Sequence, residues 1–306
     1  MAPIETLSII HPSVPTLHKT PYPAISPLRP ELSQAGRTVL IAGGSTGIGF
    51  AIARAYVQAK ASRVILLGRR EGVLKKAAAT LASEAADKTA TTVDAVVCDA
   101  ADLADSERVW GQFKNEGGFI DVLVLNAATT GAVGPLLETK VGDTWRAFEV
   151  NVRMLLDFTQ RFYNQEGLRK KYLVNISSSA IHSFDRDAAM MPAYGLTKNS
   201  GTLLLQQVAK DVDRSNMQIV SFHPGGVWTE LAESAGVPKE TYDWDDENLA
   251  GQFGVWAATE DASFLHGRFI PVHWDIDEVK KSDVATRIGT DKFFLKIGVI
   301  GVTEAK

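Results

Sequence analysis

The sequence predicts an α/β fold, a doubly wound, seven-stranded parallel sheet with helices on both faces. Three features point to it. From Thr38 onward, short apolar, β-branched runs alternate with longer amphipathic stretches, as in repeated βαβ units whose strands are buried on both sides. The first run leads directly into a glycine-rich turn that opens a helix. Clusters of glycine and polar residues then follow the ends of later runs, where an open parallel sheet places its ligand crevice.

Taken in order, the chain begins with a proline-rich stretch. Seven of the 12 prolines (Pro3, Pro12, Pro15, Pro21, Pro23, Pro27 and Pro30) lie in the first thirty residues, where they break helix and ladder alike. Residues 1–35 are expected to form an extended arm outside the core, either disordered or packed along the domain or a neighbouring subunit, and 36–306 a single domain. Strands are predicted at 38–42 (TVLIA), 63–67 (RVILL), 93–97 (VDAVV), 121–125 (DVLVL), 171–176 (KYLVNI), 217–222 (MQIVSF) and 268–272 (RFIPV). Helices are predicted over 48–60, 71–86, 102–115, 142–164 and 193–214. Glu230 to Glu247 shows no clean periodicity, so about 228–250 is expected to be an irregular substrate loop, a lid beside the pocket.

Composition narrows the function. At 306 residues, 45% hydrophobic and 22% charged, the chain has the make-up of an ordinary globular protein able to bury a core. Its net charge of −4 supplies no field for nucleic acid or an anionic membrane, and no apolar run reaches the length of a bilayer span. The N-terminus lacks the basic and apolar regions of a secretion signal. The single cysteine, Cys98, excludes an intrachain disulfide and fits a reducing compartment, so a cytoplasmic location is expected. His182 and His223 have no paired ligand spacing and are read as loop or core histidines; no metal is expected.

The first turn reads IAGGSTGIGFAIARAY. Gly43, Gly47 and Gly49 let the backbone turn sharply and approach a ligand, while the free N–H groups and dipole of the helix start favour a pyrophosphate. This is the chemistry of a dinucleotide-binding turn. Farther along, Tyr194 and Lys198 are four residues apart and share one helix face. A ketone accepting a hydride gathers negative charge on oxygen, which a phenol can protonate. A free tyrosine titrates near ~10, so a close lysine cation is needed to favour its phenolate.

GGSTGIG after the first strand, LNAA (125–128), NVRMLLDFT (151–159), VNISSSA (174–180), YGLTK (194–198) and PGGVWT (224–229) together resemble, in this order, the motifs of the short-chain dehydrogenase/reductase family. The match runs from about Thr38 to the last strand and implies a Rossmann-type fold with a nicotinamide cofactor. It implies Tyr194 as general acid/base and Lys198 as its activator and partner of the nicotinamide ribose. Ser178 would orient the substrate oxygen, and Asn151 would hold a water linking Lys198 to solvent. Cofactor contacts are implied at Gly43, Ser45, Thr46, Gly47, Ile48, Gly49, Arg69, Asp99, Asn126, Tyr194, Lys198, Val227 and Thr229. Two departures stand out: the 16 positions from Ser178 to Tyr194 exceed the family's usual gap, leaving Ser177 or Ser179 open, and Ala128 stands where the family has glycine.

In this fold an acidic residue about 20 positions past the glycine turn holds the adenosine ribose and repels a 2′-phosphate. Here that place reads Gly68-Arg69-Arg70, without a carboxylate. In the family a basic residue at this point marks NADP preference, because a guanidinium grips the phosphate in a forked pair. Arg69 is the first choice and Arg70 the second.

The activity implied is an NADPH-dependent interconversion of a ketone and a secondary alcohol in a bulky or ring-containing organic substrate. Trp228, Tyr242, Trp244, Phe184, Met190 and Met191 either shape that pocket or serve as core or subunit contacts. A non-redox isomerase, dehydratase or cyclase on the same fold is the alternative; a nucleotide sensor would not need the Asn-Ser-Tyr-Lys set. The arm and tail somewhat resemble fungal members, including those of secondary metabolism. By the family's pattern, helices 142–164 and 193–214 pair across a homodimer or homotetramer.

Overall fold

The computed structural model describes residues 4–5, 9–85, 91–182 and 191–299. The seven predicted strands form one parallel sheet: β1 (Thr38–Ala42), β2 (Arg63–Gly68), β3 (Thr92–Val97), β4 (Val122–Leu125), β5 (Lys171–Ile176), β6 (Met217–His223) and β7 (Arg268–Pro271). Their spatial order is β3-β2-β1-β4-β5-β6-β7, the Rossmann-type winding. The order reverses between β1 and β4, so the loops beyond these strands part and leave a crevice. The apolar side chains of β4, β5 and β6 are buried because helices cover both faces of the sheet.

The helices are α1 (Gly47–Gln58), α2 (Glu71–Glu84), α3 (Leu103–Asn115), α4 (Val141–Phe148), α5 (Met154–Tyr163), α6 (Pro192–Asp211), α7 (Glu230–Ser234), α8 (Glu247–Ala257), α9 (Ile276–Lys281) and α10 (Asp283–Thr290). One face of the sheet packs against α1, α2 and α8 through Ile52, Tyr56, Leu74, Phe253 and Trp256. The other packs against α3, α5 and α6 through Val109, Trp110, Phe158, Phe162 and Leu205.

Three expectations are corrected by tertiary packing. The helix read as continuous over 142–164 is broken by a π-helical turn, Glu149–Arg153, between α4 and α5. The loop about 228–250 contains α7 and the start of α8. The latter carried no periodic signal because eight of its eleven residues are buried, leaving little polar face. The N-terminal stretch is not outside the core: Val14, Tyr22, Ile25 and Leu32 are buried in the α1–α8 cluster. Its prolines start two 3-10 turns, Pro23–Ile25 and Pro30–Leu32, that carry Ile25 and Leu32 inward. Polar ties hold it there: the Tyr22 hydroxyl donates to Trp274 O (3.1 Å), and Thr16 Oγ1 donates to Glu278 (2.6 Å).

Candidate active site

The crevice at the strand reversal is a cleft of about 540 Å³. The β1–α1 turn forms its floor, and the glycines there answer to space as well as conformation. Gly43 has φ +76°, and a Cβ on it would stand 2.9 Å from Ala127 Cα. On Gly49 a Cβ would fall 2.0 Å from the Gly43 carbonyl oxygen, so Gly49 lets helix and strand close beneath the turn and does not itself line the cleft. Asn126, beyond β4, fastens the turn by donating from Nδ2 to Gly43 O at 2.7 Å. The first-turn N–H groups of α1 have no intrahelical acceptor, and Ser45, Thr46, Gly47 and Ile48 line the cleft beside them. This cradle fits a dinucleotide.

Beyond β2, Arg69 is exposed at the rim and has no hydrogen bond or ion pair among the described residues. Arg70 is engaged, donating to Glu230 at the start of α7 at 2.6 Å. Asp99, beyond β3, also lines the cleft; its Oδ1 accepts the Ala101 N–H (3.0 Å) and its Oδ2 accepts from Arg146 of α4 (3.1 Å). Arg146 and Glu230 are cleft residues that sequence reasoning missed. Neither belongs to a motif, and both arrive from elements distant in sequence.

At the opposite end, Tyr194 and Lys198 both line the cleft from one face of α6, which begins at Pro192. Lys198 is buried, donates from Nζ to Ile176 O at 2.7 Å, and lies 5.8 Å from the centroid of the Tyr194 ring. Burial disfavours its charged form and draws its pKa down to about 8. Asn151 sits in the π-helical turn, buried behind the cleft. Its Oδ1 accepts the Thr129 N–H (2.9 Å), while its Nδ2 donates to Thr129 O (2.8 Å) and to Thr197 Oγ1 (2.9 Å). It thereby ties the loop beyond β4 to the helix that carries Tyr194. A Cβ on Gly201 would lie 2.7 Å from Asn151 O, so α6 approaches this turn only because residue 201 is glycine.

Ser178 does not line the cleft in this structure. It is half-buried, and its Oγ accepts the Ala180 N–H at 3.1 Å. Ser177 lines the cleft, with its Oγ 2.6 Å from Thr202 Oγ1. Beyond β6, Thr229 reaches the cleft and caps α7, whereas Val227 is buried beside it. Phe184 and Met190 lie outside the described residues. Trp228, Tyr242 and Trp244 lie in the stretch 228–250, away from the cleft lining; Lys239 sits over the Trp228 ring and Trp244 Nε1 donates to Lys239 O.

The sequence model described as short chain dehydrogenase matches residues 37–239. The chain is 31% identical over 285 residues to the short chain dehydrogenase/reductase AacuD of Aspergillus aculeatus, covering 93% of this chain and 95% of that one. It is 32% identical over 273 residues to the short chain dehydrogenase/reductase nsrO of Aspergillus novofumigatus, covering 87% and 89%. Among solved structures, the NADP active-site complex of RhlG from Pseudomonas aeruginosa shares the fold with a TM-score of 0.69 at 21% identity, covering 80% of this chain and 98% of its own. With most of the chain matched by the family model and near-full-length relatives about a third identical, this protein belongs to the short-chain dehydrogenase/reductase family of oxidoreductases.

Proposed function

We propose that this protein is an NADPH-dependent oxidoreductase, located in the cytoplasm, that interconverts a ketone and a secondary alcohol of a bulky or ring-containing organic substrate. The observation that carries the reading is the pairing of Tyr194 and Lys198 at one end of a cleft whose other rim presents Arg69, without an ion pair among the described residues. Ser45, Thr46, Gly47, Ile48 and Arg69 would hold a reduced nicotinamide cofactor, which would supply the hydride for the carbonyl carbon. Tyr194 delivers its phenolic proton to the carbonyl oxygen and keeps the O–H bonding pair as phenolate. The Lys198 ammonium, held by Ile176 O, steadies that charge. Ser178 spends a lone pair on Ala180 N–H, and its own proton is the one to offer the substrate oxygen. Asn151 keeps the Tyr194 helix and the loop beyond β4 in register and marks the route by which water returns the proton.

Preference for NADPH is supported by the absence of a carboxylate at positions 68–70 and by the NADP bound to RhlG and to a Shigella flexneri short chain dehydrogenase of the same fold. The Aspergillus relatives agree with the likeness of the arm and tail to fungal members of the family, and on that likeness we place the protein in secondary metabolism. The test is to screen polycyclic and simple ketones for NADPH consumption, then compare wild type with Tyr194→Phe. The variant should retain NADPH binding and lose turnover by about 10²–10⁴-fold, the range of general acid/base catalysis. A Tyr194→Phe protein working at the wild-type rate would end this reading.

A further inference from the structure

The far end of the loop over 228–250 carries a buried carboxyl–imidazole pair that the hydride chemistry does not use. The side chains of Asp245 and His273 are 0% exposed, and His273 Nε2–H donates to Asp245 Oδ2 at 2.8 Å. The same oxygen accepts the N–H of Gly226 at 2.6 Å, and the Asp245 N–H donates back to Gly226 O at 2.8 Å. Gly225, with φ +91°, packs so closely that a Cβ there would stand 2.7 Å from this carboxylate oxygen. Oδ1 of Asp245 and Nδ1 of His273 have no hydrogen-bond partner among the described residues. A buried pair left half satisfied is a poor way to stabilise a fold, since well-packed apolar residues of similar volume often do as well or better.

What the carboxylate does hold is the stretch beyond β6. Three residues past Gly226 stands Thr229, whose Cγ2 lies 3.0 Å from where a Gly47 Cβ would be, so this stretch forms the wall opposite the glycine turn. The anchor is tied from outside by the N-terminal segment. His18 N–H donates to His273 O (2.8 Å), Asp246 N–H to Lys19 O (2.9 Å) and Lys19 Nζ to Asp243 Oδ2 (2.7 Å). Residues 18 and 19 lie outside the part of the chain that the family model matches.

We propose that Asp245 is a positioning residue for the cofactor. Its carboxylate, braced by His273 and by the N-terminal segment, fixes the Gly225–Gly226 turn and so sets Val227 and Thr229 in the wall that faces the glycine turn across the cleft. The proposal rests on reading the cleft as an NADPH site. NADPH titration of the full chain, followed by cofactor fluorescence, tests it without knowledge of the substrate. Asp245→Ala should weaken NADPH about tenfold, as for loss of a hydrogen bond to a charged group. Asp245→Asn, which keeps an oxygen for the Gly226 N–H, should restore most of that loss. Combined with Thr229→Val, the Asp245→Ala loss should not multiply, because both act at one contact; combined with Arg69→Ala, at the adenosine end, it should. A merely structural Asp245 would lower the melting temperature and multiply with both. Multiplication with Thr229→Val, or a folded Asp245→Ala protein that binds NADPH like wild type, overturns the proposal. Should Asp245→Ala fail to fold, the same cycle run with Gly225→Ala, whose Cβ would push against the carboxylate, decides in the same way. Wild type that binds neither NADPH nor NADH removes the reading of the cleft, and this proposal with it, before any variant is compared.

Discussion

The position of Lys198 that suits the proposed chemistry comes at a cost to stability. Its ammonium is taken out of water and given one carbonyl in return, so its pKa falls from 10.5 to about 8. The ammonium therefore dominates below about pH 8 and is lost above it, and with it the activation proposed for Tyr194. For folding, the unfolded chain holds a proton between pH 8 and 10.5 that the folded chain has shed, so stability rises with pH through that window. At 1.36 kcal/mol per pKa unit the penalty carried in full below pH 8 is about 3 kcal/mol. Lys198→Met lacks the titration, and urea unfolding should show wild type gaining about 3 kcal/mol on the variant between pH 8 and 10.5. A gap independent of pH would mean that the amine is not desolvated. Arg69 offers a second test at this scale. Arg69→Ala should weaken NADPH by roughly 1.5–3 kcal/mol, about ten- to a hundredfold, and leave NADH nearly unchanged. Equal losses for the two cofactors would make Arg69 structural, and tighter binding of NADH by wild type would overturn the NADP assignment.

Among the elements, the N-terminal segment departs furthest from its sequence character. Proline removes it from helix and ladder, yet its short turns place Ile25 and Leu32 against the core packed by α1 and α8. Ile25 is wholly buried, so Ile25→Ala should cost about 2–5 kcal/mol by denaturant titration, the range for truncating a core aliphatic. A cost within about 0.5 kcal/mol, typical of surface positions, would show that the segment is only laid over the domain. The π-helical turn shows the opposite relation of element to site. One irregular turn inside a regular helix puts Asn151 where it can bond both Thr129 and Thr197.

For the whole molecule, the sheet order gathers the ends of six strands around one cleft, and the helices that bring Tyr194 and Arg146 to it also meet solvent. Trp145 on α4, Leu156 on α5, and Leu196 and Leu203 on α6 are exposed, with Trp145 at 64%. Apolar side chains of this size on neighbouring helices mark a contact surface. We propose that these helices pair in a homodimer or homotetramer. Sedimentation at micromolar concentration should then give at least twice the monomer mass, and Trp145→Glu with Leu203→Glu should reduce it to one chain. A wild-type monomer would count against the pairing.

The sequence by itself determined the strands, their winding, the glycine turn and the shared face of Tyr194 and Lys198. These depend on short apolar, β-branched runs, on a periodicity of 3.6 residues and on short spacings, all of which a linear chain displays directly. Only the tertiary structure decided that α8, apolar nearly all round, is a helix, and that the proline-rich segment belongs to the core. It also decided that Arg70 is occupied by Glu230 while Arg69 has no partner among the described residues, that Arg146 meets Asp99, and that Asp245 and His273 close beneath Gly226. Each of these joins residues whose separation in sequence carries no periodic signal. The contacts exist because packing the helices onto a twisted sheet brings distant loops to the same strand ends, and burial there dictates which charges must find partners.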